Sequence, residues 1–204
     1  MPPRAGLVAH RVYDPVLRLL HAANALLIVL LAASGLAVDV QEPGAATAWL
    51  HAWHGILGCA LLVFLGGRLA WGLVGPRHAR WRDLWHPAAW RSLIAGRTVF
   101  TAPSRQGHHP HASLVYLGIY LLLLGLALSG LVLLAGMQGH GPLTAAFGFD
   151  AEAGTLLKTP HRWAGWAVAA FIPLHLLAMT LHARLHRIPV AQGMLTGVQY
   201  LETR

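Results

Sequence analysis

Residues 161–183 read HRWAGWAVAAFIPLHLLAMTLHA, and the 21 positions from Trp163 to Ala183 contain no Lys, Arg, Asp or Glu. At 1.5 Å of rise per residue such a run crosses a hydrocarbon core of roughly 30 Å. A helix of a soluble protein keeps one polar face, whereas this one is apolar around its whole circumference. Two imidazoles nevertheless belong to it: His161 stands just before the run and His175 lies inside it. An ionisable side chain in a membrane helix is costly and marks a functional position by default. The stretch therefore predicts a membrane-spanning helix with chemistry built into it.

Outward from this run, three more of the same kind lie at about 16–38, 49–74 and 112–135. The 204 residues are 56% hydrophobic and 11% charged, against about 25% charged in an ordinary soluble domain. These values exclude a soluble catalytic domain and predict an all-α membrane protein, a four-transmembrane-helix bundle forming one domain over 1–204. The first run follows Arg4, Arg11 and Arg18 as a signal peptide would. Its apolar stretch is longer than the roughly 7–15 residues of such a segment, so it reads as a retained helix. Basic residues then set the topology. Arg77, Arg80, Arg82, Arg91, Arg97 and Arg105 fall in the 75–111 connection and both tails are basic, whereas 39–48 has no Lys or Arg and 136–160 has only Lys158, beside Asp150 and Glu152. The positive-inside rule places both termini and the 75–111 loop in the cytoplasm. This division by side, with the surplus of 15 Lys and Arg over 7 Asp and Glu, reports topology and lipid contact. It gives no sign of a nucleic-acid surface. Trp81, Trp85 and Trp90 in the basic loop read as headgroup anchors.

Cys59 is the single cysteine, so there is no disulfide framework, cysteine zinc site or C-x-x-C-H haem attachment. Fourteen histidines are the unusual feature. His161 and His175 are 14 positions apart, about 21 Å along a helix and within about 40° of one face. Topology puts His21 and His175 in the cytoplasmic half, and His51, His54 and His161 near the outer surface. Two pairs at two depths suit bis-imidazole coordination of two non-covalent b-type haems, each imidazole held through its other nitrogen. Small residues four positions after a ligand would leave room for a flat ring. His161 has Gly165, His51 has Gly55, His54 has Gly58 and His21 has Ala25, while His175 has the flexible Met179. Clearance alone leaves His51 and His54 open, although the Trp at i+2 shared by HAWHG and HRWAG favours His51. Arg18 and Arg68 are candidates for inner-haem propionates by charge and depth, with snorkelling to lipid phosphate as the competing role. LAASGL at 31–36 and LALSGL at 126–131 echo each other, and such Ser-Gly pairs read as close helix packing. His108, His109 and His111 suit capping or a quinone headgroup equally, and His10, His78, His86, His140, His182 and His186 read as solvated interfacial side chains.

The chain resembles the bacterial cytochrome b561 family, which includes the cytochrome b subunits of nickel-iron hydrogenases. The resemblance runs from Arg11 to about Gly197. It rests on RVYDPVLRLLH, on LHAWHG with RLAWGLVGPRHARW, on GHHPHASL, and on HRWAGWAVAAFIPLH with HARLHR. It implies a four-helix bundle with two b haems that carries electrons between a quinone pool and a periplasmic or cytoplasmic redox partner or small substrate. It implies ligands at His21, His51, His161 and His175, with His51 rather than His54 in the second helix. The chain departs from the family at Ala22, where Trp is common, and at 109–112, where Asn-Pro-Leu-Gly is common.

Within this class the chain reads as a quinone-linked oxidoreductase or as a subunit of one, the outer loop with Phe147 and Phe149 serving either. From a different class, the same histidines would suit a haem-free proton or divalent-metal transporter. That reading lacks the intramembrane carboxylates such transporters carry.

Overall fold

The computed structural model describes residues 6–95, 106–108, 110–139, 141–147 and 151–202. Readings on Arg4, Arg97, Arg105, His109, His140, Phe149 and Asp150, and on the side chains of His111 and Phe147, lie outside what is described. The strand β1 (Leu7–Arg11) is followed by α1 (Pro15–Val40), α2 (Ala45–Val74), two 3₁₀ turns at Arg77–Ala79 and Trp81–Asp83, and α3 (Pro87–Ile94). Then come α4 (Pro110–Gln138), α5 (Pro142–Phe147), α6 (Ala151–His186), α7 (Gln192–Thr196) and β2 (Val198–Glu202). Four helices, α1, α2, α4 and α6, are long and apolar enough to cross a membrane, as the apolar runs predict. Proline opens α1, α3, α4 and α5, the position where its missing N–H costs nothing.

The helices outrun their apolar stretches, most of all α6, which begins 12 residues before Trp163. Residues 151–162 include Glu152, Lys158 and Arg162, so this part of α6 is helical without being lipid-like. Hydropathy locates the hydrocarbon crossing, not the helix end. Side chains such as Leu26, Val63, Leu121, Leu174 and Leu177 are exposed, as expected of surfaces that face lipid rather than a protein core.

Chain packing separates two compact units. One takes the described residues of Met1–Ala22, Gly67–Ile119 and Pro173–Arg204, the other those of Ala23–Gly66 and Tyr120–Ile172. In the first unit β1 and β2 pair antiparallel, from Leu7 opposite Glu202 to Arg11 opposite Val198. Both ends of the described chain thus meet, as an even number of crossings requires. Val12 and Tyr13 donate backbone bonds to the Gly197 carbonyl. Gly197 closes α7 with φ 83°, and a Cβ there would stand 2.5 Å from the Tyr13 carbonyl. Asp14 caps α1 by accepting from the Leu17 N–H at 3.0 Å and also accepts from Trp71 Nε1 at 3.1 Å, which ties the start of α1 to the end of α2.

Asp83 organises the loop of this unit. One oxygen accepts from His108 twice, from the backbone N–H at 3.0 Å and from Nδ1 at 2.8 Å, and the other meets His78 Nδ1 at 3.3 Å. His86 bonds the Asp83 carbonyl at 2.8 Å. Gly107 packs against the carboxylate with φ 93°, where a Cβ would meet Oδ2 at 2.4 Å. Its backbone exchanges two bonds with the Gln199 amide on β2. Burial works against the Asp83 charge, but hydrogen bonds and charge from His108, with a smaller share from His78, outweigh it and hold the carboxyl below its ordinary value. Burial, with Tyr116 and Asp83 nearby, pushes the Tyr13 hydroxyl well above its ordinary value. His78 and His108 are therefore structural partners of the Asp83 carboxylate and His86 of its backbone carbonyl, where solvated, capping or quinone-contacting histidines were expected. Trp81 also departs from its reading as an anchor. It packs on Gly72, donates to the Leu69 carbonyl at 3.2 Å and lies under the Arg68 guanidinium. Trp90 donates to Ser113 at 3.1 Å, and Trp85 packs edge-on against it.

Candidate haem-binding site

In the second unit α1, α2, α4 and α6 line a cavity of about 570 Å³, within the size range of small-molecule and cofactor sites. Apolar side chains, among them Leu31, Leu61, Leu123 and Leu131, supply most of its wall, and Asp39, Lys158 and Arg162 supply charge. Asp39 accepts from Arg162 Nε at 3.2 Å and from Trp166 Nε1 at 3.1 Å.

Two imidazoles face each other in this unit, and they belong to His54 and His161. Their ring centroids are 6.3 Å apart and their planes cross at 77°. Each ring is held through Nδ1 by a serine: Ser34 Oγ lies 2.9 Å from His54 and Ser129 Oγ 2.8 Å from His161. Each serine hydroxyl also has a backbone carbonyl one turn back within hydrogen-bond distance. Ser34 donates to the Leu31 carbonyl at 3.2 Å, and Ser129 to those of Gly125 at 2.7 Å and Leu126 at 3.2 Å. With the serine oxygens accepting, both histidines would carry the proton on Nδ1 and leave the Nε2 lone pair for a metal. Metal–imidazole bonds of about 2.0 Å place two trans imidazoles about 6 Å apart between centroids, which the observed pair matches.

The glycines sort the candidates further. A Cβ at Gly58 or at Gly165 would meet no atom within 4 Å, and both glycines border the cavity, four residues after His54 and His161 respectively. Gly55, four residues after His51, has a packing reason instead, because its Cβ would stand 2.9 Å from Leu134. His51 borders the same cavity but is exposed. The tryptophans that made HAWHG and HRWAG look alike point outward, Trp53 being 45% and Trp163 67% exposed, and they bear on the membrane surface rather than the site. Gly35 and Gly130 lie against the His54 and His161 rings, with would-be Cβ atoms 3.4 and 3.3 Å from Cε1. The two Ser-Gly pairs thus touch the histidines directly, a role beyond the helix packing expected of them. Donor set, spacing and open glycines fit a six-coordinate haem iron.

In the first unit His21 on α1 lies within electrostatic reach of His175 on α6, of Arg68 on α2 and of His108. Arg68 is 3% exposed, so it does not snorkel to lipid and places a cation in the protein beside these imidazoles. Arg18 is used differently. Its guanidinium donates to the carbonyls of Met194 and Leu195 and closes the C-terminal end of α7. Among the described residues no three His, Cys, Asp or Glu side chains converge to hold a metal ion.

Comparison with known proteins gives the same picture. The chain is 24% identical to a probable Ni/Fe-hydrogenase B-type cytochrome subunit of Cupriavidus necator, over 94% of this chain and 87% of that protein. It is 27% identical to one so described from Rhodobacter capsulatus, over 91% and 79% respectively. For one from Bradyrhizobium diazoefficiens the identity is 22%, over 91% and 84%. The family model for prokaryotic cytochrome b561 matches residues 12–197. With four membrane-crossing helices and an imidazole pair suited to haem, the chain is a multi-pass membrane protein of haem-based electron transfer and belongs to the prokaryotic cytochrome b561 family.

Proposed function

We propose that this protein moves electrons one at a time across the bacterial inner membrane through two non-covalently bound b-type haems, linking the quinone pool to a redox partner. The reading assigns His54 and His161 to the outer haem and His21 and His175 to the inner one, replacing the expectation of His51 with its neighbour one turn on. The observation that carries it is the facing His54 and His161 pair, each ring held through Nδ1 by a serine hydroxyl. Haem b supplies one-electron exchange between ferric and ferrous iron. The chain's own residues do the rest. Imidazoles in both axial positions leave none open for oxygen chemistry. Leucine walls keep water from the outer site, and Arg68 offers a buried cation to inner-haem propionates. Arg18, occupied by α7, drops out of that role.

The hydrogenase-subunit relatives support a redox enzyme as the partner. Charge asymmetry supports cytoplasmic termini. A dithionite-reduced minus oxidised spectrum of the purified protein in detergent tests the proposal. Two b-type components in a redox titration are expected, and a spectrum without a b-type alpha band would overturn it.

A further inference from the structure

We infer that Ser34 and Ser129 are positioning residues for the outer haem, locking the two axial imidazoles in crossed orientations and tuning the iron through Nδ1. The inference rests on the proposed assignment of His54 and His161 and adds to it the residues that govern their geometry. The two halves of the device are built alike. On α1, Ser34 Oγ bonds His54 Nδ1 and the ring's Cε1 lies 3.4 Å from where a Cβ on the neighbouring Gly35 would stand; on α4, Ser129 and Gly130 are placed in the same way about His161, with 3.3 Å. LAASGL and LALSGL are thus two copies of one imidazole cradle. A hydroxyl that already donates to a carbonyl one turn back cannot rotate away, so each ring is fixed about its own axis and the crossing is held at 77°. Hydrogen bonding at Nδ1 also pushes electron density toward Nε2, which favours ferric over ferrous iron.

Two consequences are measurable without any turnover. Nearly perpendicular axial imidazoles give ferric haem a highly anisotropic low-spin EPR signal, whereas rings free to become parallel give a rhombic one. Loss of an acceptor at Nδ1 should shift the outer ferric/ferrous equilibrium toward ferrous by on the order of tenfold, an upward move of about 59 mV for one electron.

The experiment compares wild type with Ser34→Ala, Ser129→Ala and the double variant, and with Ser34→Thr and Ser129→Thr, which keep the hydroxyl. Each sample is titrated potentiometrically and examined by low-temperature EPR. The alanine variants should raise the outer potential and convert the anisotropic signal toward the rhombic, with the inner component unmoved, while the threonine variants stay near wild type. Loss of the outer haem in the alanine variants but not in the threonine variants would also support the inference. Unchanged potential and EPR in the double alanine variant would overturn it, as would equal haem loss in alanine and threonine variants, which would reduce the serines to packing. Absence of any b-type band in the wild type overturns the haem assignment as well, and so separates the two failures.

Discussion

His51 and His54 are three residues apart on α2, about 300° around the helix, and the proposed choice between them rests on the surroundings of the glycines that follow them. Space opens beyond Gly58 and closes against Leu134 beyond Gly55. His54→Leu should therefore remove the outer b component, while His51→Leu should retain both components with at most a shifted potential. Redox titration of the two variants checks this, and the reverse outcome would return the ligand to His51. Filling the open space is an independent probe. Gly165→Leu should exclude the outer haem and leave the inner one, seen as halved haem content with the chain still folded. At the inner site, His175→Leu should leave only the outer component. The proposed pairing of depths rests on the positions of His21, His161 and His175 in the sequence. The choice between His51 and His54 was not legible there, because both histidines have a glycine at i+4, both glycines border the cavity, and only tertiary packing shows that a Cβ at Gly55 would meet Leu134. The serine cradles were visible only as an echo between two hexapeptides, since which histidine each would meet depends on how the helices pack.

Among the elements, the long helices announce themselves and the loop does not. Four apolar runs suffice to find α1, α2, α4 and α6, yet the first 12 residues of α6 stay hidden because their polar composition matches no lipid-facing pattern. β1 and β2 pair residues nearly a chain length apart, and five-residue strands without a strong alternation give no local sign of that partnership. The Asp83 clasp is equally non-local, collecting His78 and His86 from its own loop and His108 from the far side of α3. Its side chain is 3% exposed, so Asp83→Ala would strand several donors and should cost about 3 kcal/mol. The pH dependence follows from the depressed folded value, below the roughly 3.9 of an unfolded aspartate. The clasp's contribution is complete above about pH 4 and is lost as pH falls through the folded value. Thermal melts of the detergent-solubilised protein should show a lower midpoint for Asp83→Ala at pH 7, with the gap to wild type narrowing as the pH drops below 4. A gap that widens on acidification would contradict this account.

For the whole molecule, β1 and β2 pair near the two ends of the described chain, and the arginine asymmetry supports the proposal that they lie on the cytoplasmic side. A reporter active only in the cytoplasm should work when fused to the carboxyl end, and one active only in the periplasm should stay silent. A path across the membrane also requires a second haem, because a single site in the outer half would leave electrons stranded on one side. Haem stoichiometry is therefore the most direct test of the central claim. Pyridine haemochrome quantification against protein mass for the purified chain should give two haem b per polypeptide, and a value of one or none would contradict a two-haem path.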